Sequence, residues 1–116
     1  MLSALAPRWP RWWFRGAAIY GAVALLASLA APGATLLPQL AFTLTALAFQ
    51  IVFWIVGGDP VRYRPMMLAG VAEKLAFGVP ALVFAAGSTT AIFGAVDLLL
   101  GAGFLMAWFA TASRAA

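Results

Sequence analysis

The chain has 116 residues, of which 66% are hydrophobic and only 9% are charged, and its formal net charge is +4. A soluble domain carries about 25% charged residues, so a soluble fold of this length could not bury so much apolar surface. The chain has no cysteine and no histidine, which excludes thiol chemistry, histidine-ligated haem or metal, and Ser-His-Asp catalysis. We therefore expect no catalytic residue, no metal, no cofactor and no enzymatic activity.

Four apolar segments follow one another along the chain, roughly over 12–31, 35–56, 65–86 and 90–113. Each has about 20 residues, the length that crosses a hydrocarbon core of about 30 Å as an α-helix. The first run is longer than the roughly 7–15 apolar residues of a secretory signal, so we expect it to be retained. The sequence predicts an all-α membrane protein whose residues 1–116 form a single domain, a four-transmembrane-helix bundle.

The positive charges predict the orientation of this bundle. Basic residues precede the first segment, separate the second from the third and follow the fourth: Arg8, Arg11, Arg15, Arg62, Arg64 and Arg114. The connections 32–34 and 87–89 carry no charge. The positive-inside rule then predicts that both termini are cytoplasmic (N-in/C-in), in a bacterial inner membrane. Because the basic residues lie at the ends of apolar segments, they indicate a membrane protein and no nucleic-acid partner.

Three ionisable residues lie inside the predicted spans: Glu73, Lys74 and Asp97. Each costs roughly 2.5–3.5 kcal/mol at a helix centre on insertion scales, so each is expected to be paired or to face a polar cavity. We expect Lys74 to face Asp97, and Glu73 to face Gln50 or an intersubunit surface, because neighbours in a helix point about 100° apart. Three interpretations stay open: an ion pair that sets helix register, a proton or substrate site, or a Lys74 that reaches the interface and takes Glu73 with it.

Small and polar residues mark the faces of two segments. Gly94 and Gly101 flank Asp97 on the fourth segment, which favours either close helix packing or a ligand groove beside the carboxylate. A polar stripe follows helical spacing on the second segment: Thr35, Gln39, Thr43, Ala46 and Gln50. We expect this stripe to hold helices together, with its threonines bonded to backbone carbonyls.

The loop Asp59-Pro60-Val61-Arg62-Tyr63-Arg64-Pro65 is the most distinctive string. Asp59-Pro60 favours a turn in which Asp59 pairs with Arg62. Asp59, Arg62, Tyr63 and Arg64 could bind anionic lipid headgroups or a partner protein, or the loop could simply anchor the topology.

The strings DPVRYRPMM, VAEKLAFGVP and VDLLLGAGFLMAWF resemble a set of small bacterial four-helix membrane proteins, and among named families they resemble the DoxX-like proteins. The resemblance covers Gly58 to Ser113 and implies a four-helix bundle. A DoxX-type link to thiol or redox partners would have to operate without a cysteine in this chain.

The residues favour a non-enzymatic accessory subunit that binds the lipid bilayer and other membrane protein subunits or a second copy of itself. The alternative is a small homodimeric transporter or channel that uses Glu73 and Asp97 inside the membrane. A third hypothesis, an enzyme acting on a lipid or quinone, lacks the usual catalytic side chains.

Overall fold

A computed structural model of the protein describes residues 7–30 and 36–112. Within those ranges the chain forms four α-helices and no strand: α1 (Trp9–Ser28), α2 (Leu36–Gly58), α3 (Arg64–Phe84) and α4 (Thr89–Ala110). Helix α1 begins earlier than the predicted residue 12, because Pro10 fits the first turn, where its missing N–H is not needed. The predicted boundaries at 31, 35 and 113, and the positions of Thr35 and Arg114, lie outside the described residues.

Three of the helices are long and apolar enough to cross a membrane. Helices α2, α3 and α4 have mean hydropathies of 2.0, 1.6 and 1.9. Large apolar side chains on them point outward, with Leu37 78% and Phe84 86% exposed, as expected for surfaces in contact with lipid. Helix α1 is less hydropathic than the other three helices, because three tryptophans and two arginines occupy its first two turns. The all-α membrane class is thus supported, and the fourth crossing stays a prediction.

The helices are arranged as two hairpins, with α1 packed mainly on α2 and α3 mainly on α4. A turn at 59–63 joins the hairpins. There the Asp59 carbonyl accepts the Tyr63 N–H at 3.1 Å, and the Asp59 carboxylate accepts the Arg62 backbone N–H at 3.3 Å. The predicted contact of Asp59 with Arg62 therefore includes the backbone of the arginine.

An aromatic core joins the two hairpins in the half of the bundle nearest to the 59–63 turn. Its buried members come from all four helices: Phe14, Ala17, Ala18, Phe53, Val56, Met67, Phe104 and Ala107. The rings of Phe14 and Phe104 stack with centroids 4.1 Å apart, and Phe53 lies 4.8 Å from Phe104. Beside them, Trp13 Nε1 donates to the Leu100 carbonyl at 2.9 Å. This packing closes the bundle at the turn end.

Two arginines bind the ends of neighbouring helices at the same end of the bundle. Arg15 Nε donates to the Trp54 carbonyl at 3.3 Å, and its guanidinium lies 4.1 Å from the Trp54 ring centroid. Arg64 Nε donates to the Trp108 carbonyl at 3.0 Å and lies 3.5 Å from the ring of the same residue. Both carbonyls lie near a helix C-terminus, where the helix dipole favours a cation.

We expect Arg64→Gln to lower the free energy of unfolding by about 1.5–3 kcal/mol, because a charge-assisted hydrogen bond and a cation–π contact are lost together. Arg62→Gln is the matched control, since the Arg62 side chain is exposed and its guanidinium lies farther from its neighbouring ring, 5.4 Å from the Tyr63 centroid. Thermal unfolding in detergent compares the two. Equal stability of the two variants would contradict a structural role for Arg64.

Candidate functional site

Lys74 is the centre of the candidate site. It is only 2% exposed. Its Nζ lies 3.4 Å from Asp97 Oδ1 on α4 and 3.5 Å from Glu73 Oε2 on its own helix. The predicted contact between Lys74 and Asp97 is therefore present. Glu73 was expected to face Gln50 or an intersubunit surface, and its carboxylate instead lies at ion-pair distance from Lys74. Two long side chains can bend toward each other although their Cα–Cβ bonds diverge.

The backbone around Lys74 is shaped to admit its stem. A Cβ atom on Gly101 would lie 2.9 Å from Lys74 Cβ, so only glycine leaves α4 this close to the lysine. The ammonium lies 5.2 Å from the ring centroid of Phe53, which places it on the edge of the aromatic core. Gly94 does not open a groove beside Asp97, because a Cβ there would meet Ala81 Cβ at 2.6 Å. Of the two interpretations of Gly94 and Gly101, close helix packing is therefore the one that applies, and the helix that packs against them is α3.

Gln50 enters the same region from α2. Its side chain is 5% exposed, and Nε2 donates to the Ala46 carbonyl at 2.8 Å. Gly21 of α1 provides the space for the amide, because a Cβ atom there would overlap Gln50 Oε1. Gln50 Oε1 and Glu73 Oε2 are both buried without a hydrogen-bond partner among the described residues, so these two oxygens accept no bond there although both residues face the same cavity.

Other members of the predicted polar stripe behave differently from one another. Gln39 Nε2 donates to the Ser28 carbonyl at 3.0 Å and so joins α2 to α1, as expected of a residue that holds helices together. Thr43 is 1% exposed, and its Oγ1 has no hydrogen-bond partner in the described part of the chain. The expectation that Thr43 bonds to a backbone carbonyl was therefore wrong.

A cavity of about 490 Å³ lies between the two hairpins. Its floor contains Gln50, Glu73, Lys74 and Asp97, its walls include Tyr20, Phe42, Phe77 and Phe93, and its mouth lies at Ala27, Thr89 and Thr90. The mouth residues are exposed, whereas the floor residues are buried (Gln50, Lys74) or half-buried (Glu73, Asp97). From Asp97 to Thr89 is eight residues, about 12 Å along the helix. The cavity therefore ends against the aromatic core and opens at the end opposite to the 59–63 turn.

The structure assigns to the cavity several residues that sequence reasoning missed. Tyr20 and Gly21 come from α1, for which the sequence analysis identified no intramembrane charge. Tyr20 was the available signal, because it is the one polar side chain between Arg15 and Ser28. Phe77 lies one turn from Glu73 and shares its face, which could have indicated an apolar wall. The loop residues Arg62 and Tyr63 lie at the opposite end and do not line the cavity.

Chemically, the cavity combines an apolar wall with a compact charged floor. Such a site can hold the polar head of an amphiphile while its body stays among aromatic side chains. The carboxylates could also exchange a proton, since Lys74 neutralises only one of them. No protein-family model, no curated protein and no solved structure matches the chain. The resemblance to DoxX-like proteins stays a prediction, and the geometry of the site is the basis for assigning a function.

Proposed function

We propose that this chain is a non-enzymatic membrane protein that binds a lipid-like amphiphile inside the bilayer and presents it to other membrane subunits. The single observation that carries the proposal is the cavity of about 490 Å³ with Lys74, Glu73 and Asp97 on its floor. Ligand pockets typically have volumes of about 300–1,000 Å³, apolar walls and a few convergent polar groups. Ionisable residues at membrane depth are costly, so a cluster of them in a cavity is a functional-site hypothesis by default.

The proposal includes a fourth crossing by α1. Contacts at both ends of α1 support it: Arg15 bonds to Trp54 near one end, and Gln39 bonds to Ser28 near the other. Helix α1 therefore lies alongside α2 over its length, and a bilayer that contains α2 contains most of α1. Its arginines are at one end, where they can reach the interface.

The proposed orientation places both termini and the 59–63 turn in the cytoplasm of a bacterium, and the mouth of the cavity outside. Single cysteines in this cysteine-free chain test it. Ala86→Cys reports the connection between α3 and α4, since Gly87 has a φ of +82° and Ser88 caps α4 by accepting the Ala91 N–H. Arg62→Cys reports the turn. We expect an impermeant maleimide to label position 86 from outside and position 62 from the cytoplasmic side. The reverse result would overturn the orientation.

Binding is tested by filling the cavity. Ala46 is buried and lines the cavity, whereas Ala48, on the same helix, is exposed on the outer face. We expect the parent protein and Ala48→Trp, purified in mild detergent, to carry a bound lipid-like molecule in native mass spectrometry. Ala46→Trp should lose it, because the indole occupies its volume. Equal adducts on all three proteins would contradict binding in this cavity.

A second candidate function is transport by a homodimer using Glu73 and Asp97. The observation that favours it is that the cavity opens at one end and is closed by the aromatic core at the other, which is the form of one state in alternating access. Transport would require the aromatic core to open, so that the floor of the cavity becomes accessible from the end of the bundle that carries the 59–63 turn. Flux of the bound molecule across proteoliposomes would support transport, and binding without flux would support the accessory role.

A further inference from the structure

The floor of the cavity has an excess of negative charge. It contains two carboxylates, Glu73 and Asp97, and one ammonium, that of Lys74. In the described part of the chain, no other basic side chain lines the cavity. With all three groups ionised, the formal net charge of the floor is −1. An uncompensated charge is unfavourable in a low-dielectric site, so a cation is the ligand charge that the floor favours.

The floor also has acceptors that lack donors. Gln50 Oε1 and Glu73 Oε2 are both buried and accept no hydrogen bond from residues 7–30 or 36–112, and both residues line the cavity. Glu73 Oε2 is at ion-pair distance from Lys74 without the geometry of a hydrogen bond. A rotation of the Gln50 side-chain amide that exchanged Oε1 and Nε2 would break the hydrogen bond from Nε2 to the Ala46 carbonyl. The matching ligand group must donate hydrogen bonds, and an accepting group would leave these oxygens unsatisfied.

The walls above the floor suit the rest of such a molecule. Phe77 and Phe93 provide apolar surface for a hydrocarbon or aromatic body, and aromatic faces also attract cations. We propose that the cavity binds a primary ammonium on an apolar body, an inference that rests on the proposed binding of an amphiphile. Its N–H groups donate to Gln50 Oε1 and Glu73 Oε2, and its charge balances the second carboxylate. A free alkylamine and an aminophospholipid headgroup share this chemistry.

Matched eight-carbon probes test the head group: octylammonium, octyltrimethylammonium and octanoate, titrated into the protein in phosphatidylcholine nanodiscs. Native mass spectrometry counts bound molecules, and empty nanodiscs correct for partition. We expect octylammonium to bind about tenfold more tightly than octyltrimethylammonium, which carries the charge but no donor, and octanoate not to bind. Nanodiscs of phosphatidylethanolamine should weaken octylammonium binding if the lipid headgroup is the natural source, and should leave it unchanged if the source is a free amine.

Two variants locate the binding. Gln50→Leu and Glu73→Gln should each lower octylammonium affinity about tenfold, whereas Thr43→Val removes an unpartnered buried oxygen outside the cavity and should leave it unchanged. If a variant does not fold, the probe series on the parent protein still decides. Equal binding of octylammonium and octyltrimethylammonium, or preferred binding of octanoate, would overturn the ammonium inference while amphiphile binding stands. Failure of every probe, with no retained native molecule, would overturn the proposed function itself.

Discussion

Replacing Lys74 with methionine is expected to lower the free energy of unfolding by about 3–5 kcal/mol, because breaking a buried ion pair leaves the partner charges uncompensated. In this protein two carboxylates are left, since the Lys74 ammonium contacts both Glu73 and Asp97. Folded yield by size-exclusion chromatography in detergent, followed by thermal unfolding, measures the loss. The double variant Glu73→Gln/Asp97→Asn should be comparably unstable, because it strands the ammonium instead.

The pattern across the series distinguishes a charge effect from a packing effect. Asp97→Asn alone should cost less than Lys74→Met, since Lys74 keeps its contact with Glu73. The neutral triple variant, Lys74→Met with Glu73→Gln and Asp97→Asn, should recover much of the lost stability, because no charge is left to desolvate. A triple variant that folds but no longer retains the amphiphile would assign the charges to binding. If Lys74→Met were as stable as the parent, the cluster would have no structural role.

Replacing Gly94 with leucine should destabilise the protein by about 1–3 kcal/mol or more, as overpacking does in well-packed cores. Even the Cβ atom of the new side chain would meet Ala81 Cβ at 2.6 Å and the Gly78 carbonyl oxygen at 3.3 Å. Neither neighbour can yield by rotating, since one is a methyl group and the other is backbone. Helices α3 and α4 must therefore separate, which also pulls Asp97 away from Lys74.

The adjacent position provides the control for this prediction. Ala95→Leu adds a similar side chain to the same helix on an exposed face, where it meets lipid rather than α3. We expect its thermal unfolding temperature to match that of the parent within a few degrees, in line with the roughly ±0.5 kcal/mol of surface substitutions. Similar losses in both variants would show that leucine in α4, rather than the contact with α3, is responsible.

Much of the architecture was predicted from the apolar segments along the chain and from the proline and glycine residues between them. Apolar runs of membrane-spanning length predicted four helices, and the helix ends that lie within the described residues differ from the predicted ones by one to three residues. The ends shifted where packing intervened. Gly57 stays helical in α2 because a Cβ there would lie 2.9 Å from the Arg11 carbonyl oxygen, so glycine serves the close approach of α1 rather than the end of a helix.

The sequence by itself determined the class of the protein and the pairing of Lys74 with Asp97, because both depend on distances along a helix axis. Rise per residue sets the depth of each side chain, and a buried charge needs a partner at its own depth. Only the tertiary structure decided which side chains share the cavity, since that depends on rotation about each axis and on side-chain bending. Glu73 thus joined Lys74 rather than Gln50, and Tyr20 and Gly21 entered from a helix without intramembrane charge. The cavity lies beyond the aromatic core that joins the two hairpins near the 59–63 turn, a long-range arrangement that no local pattern encodes.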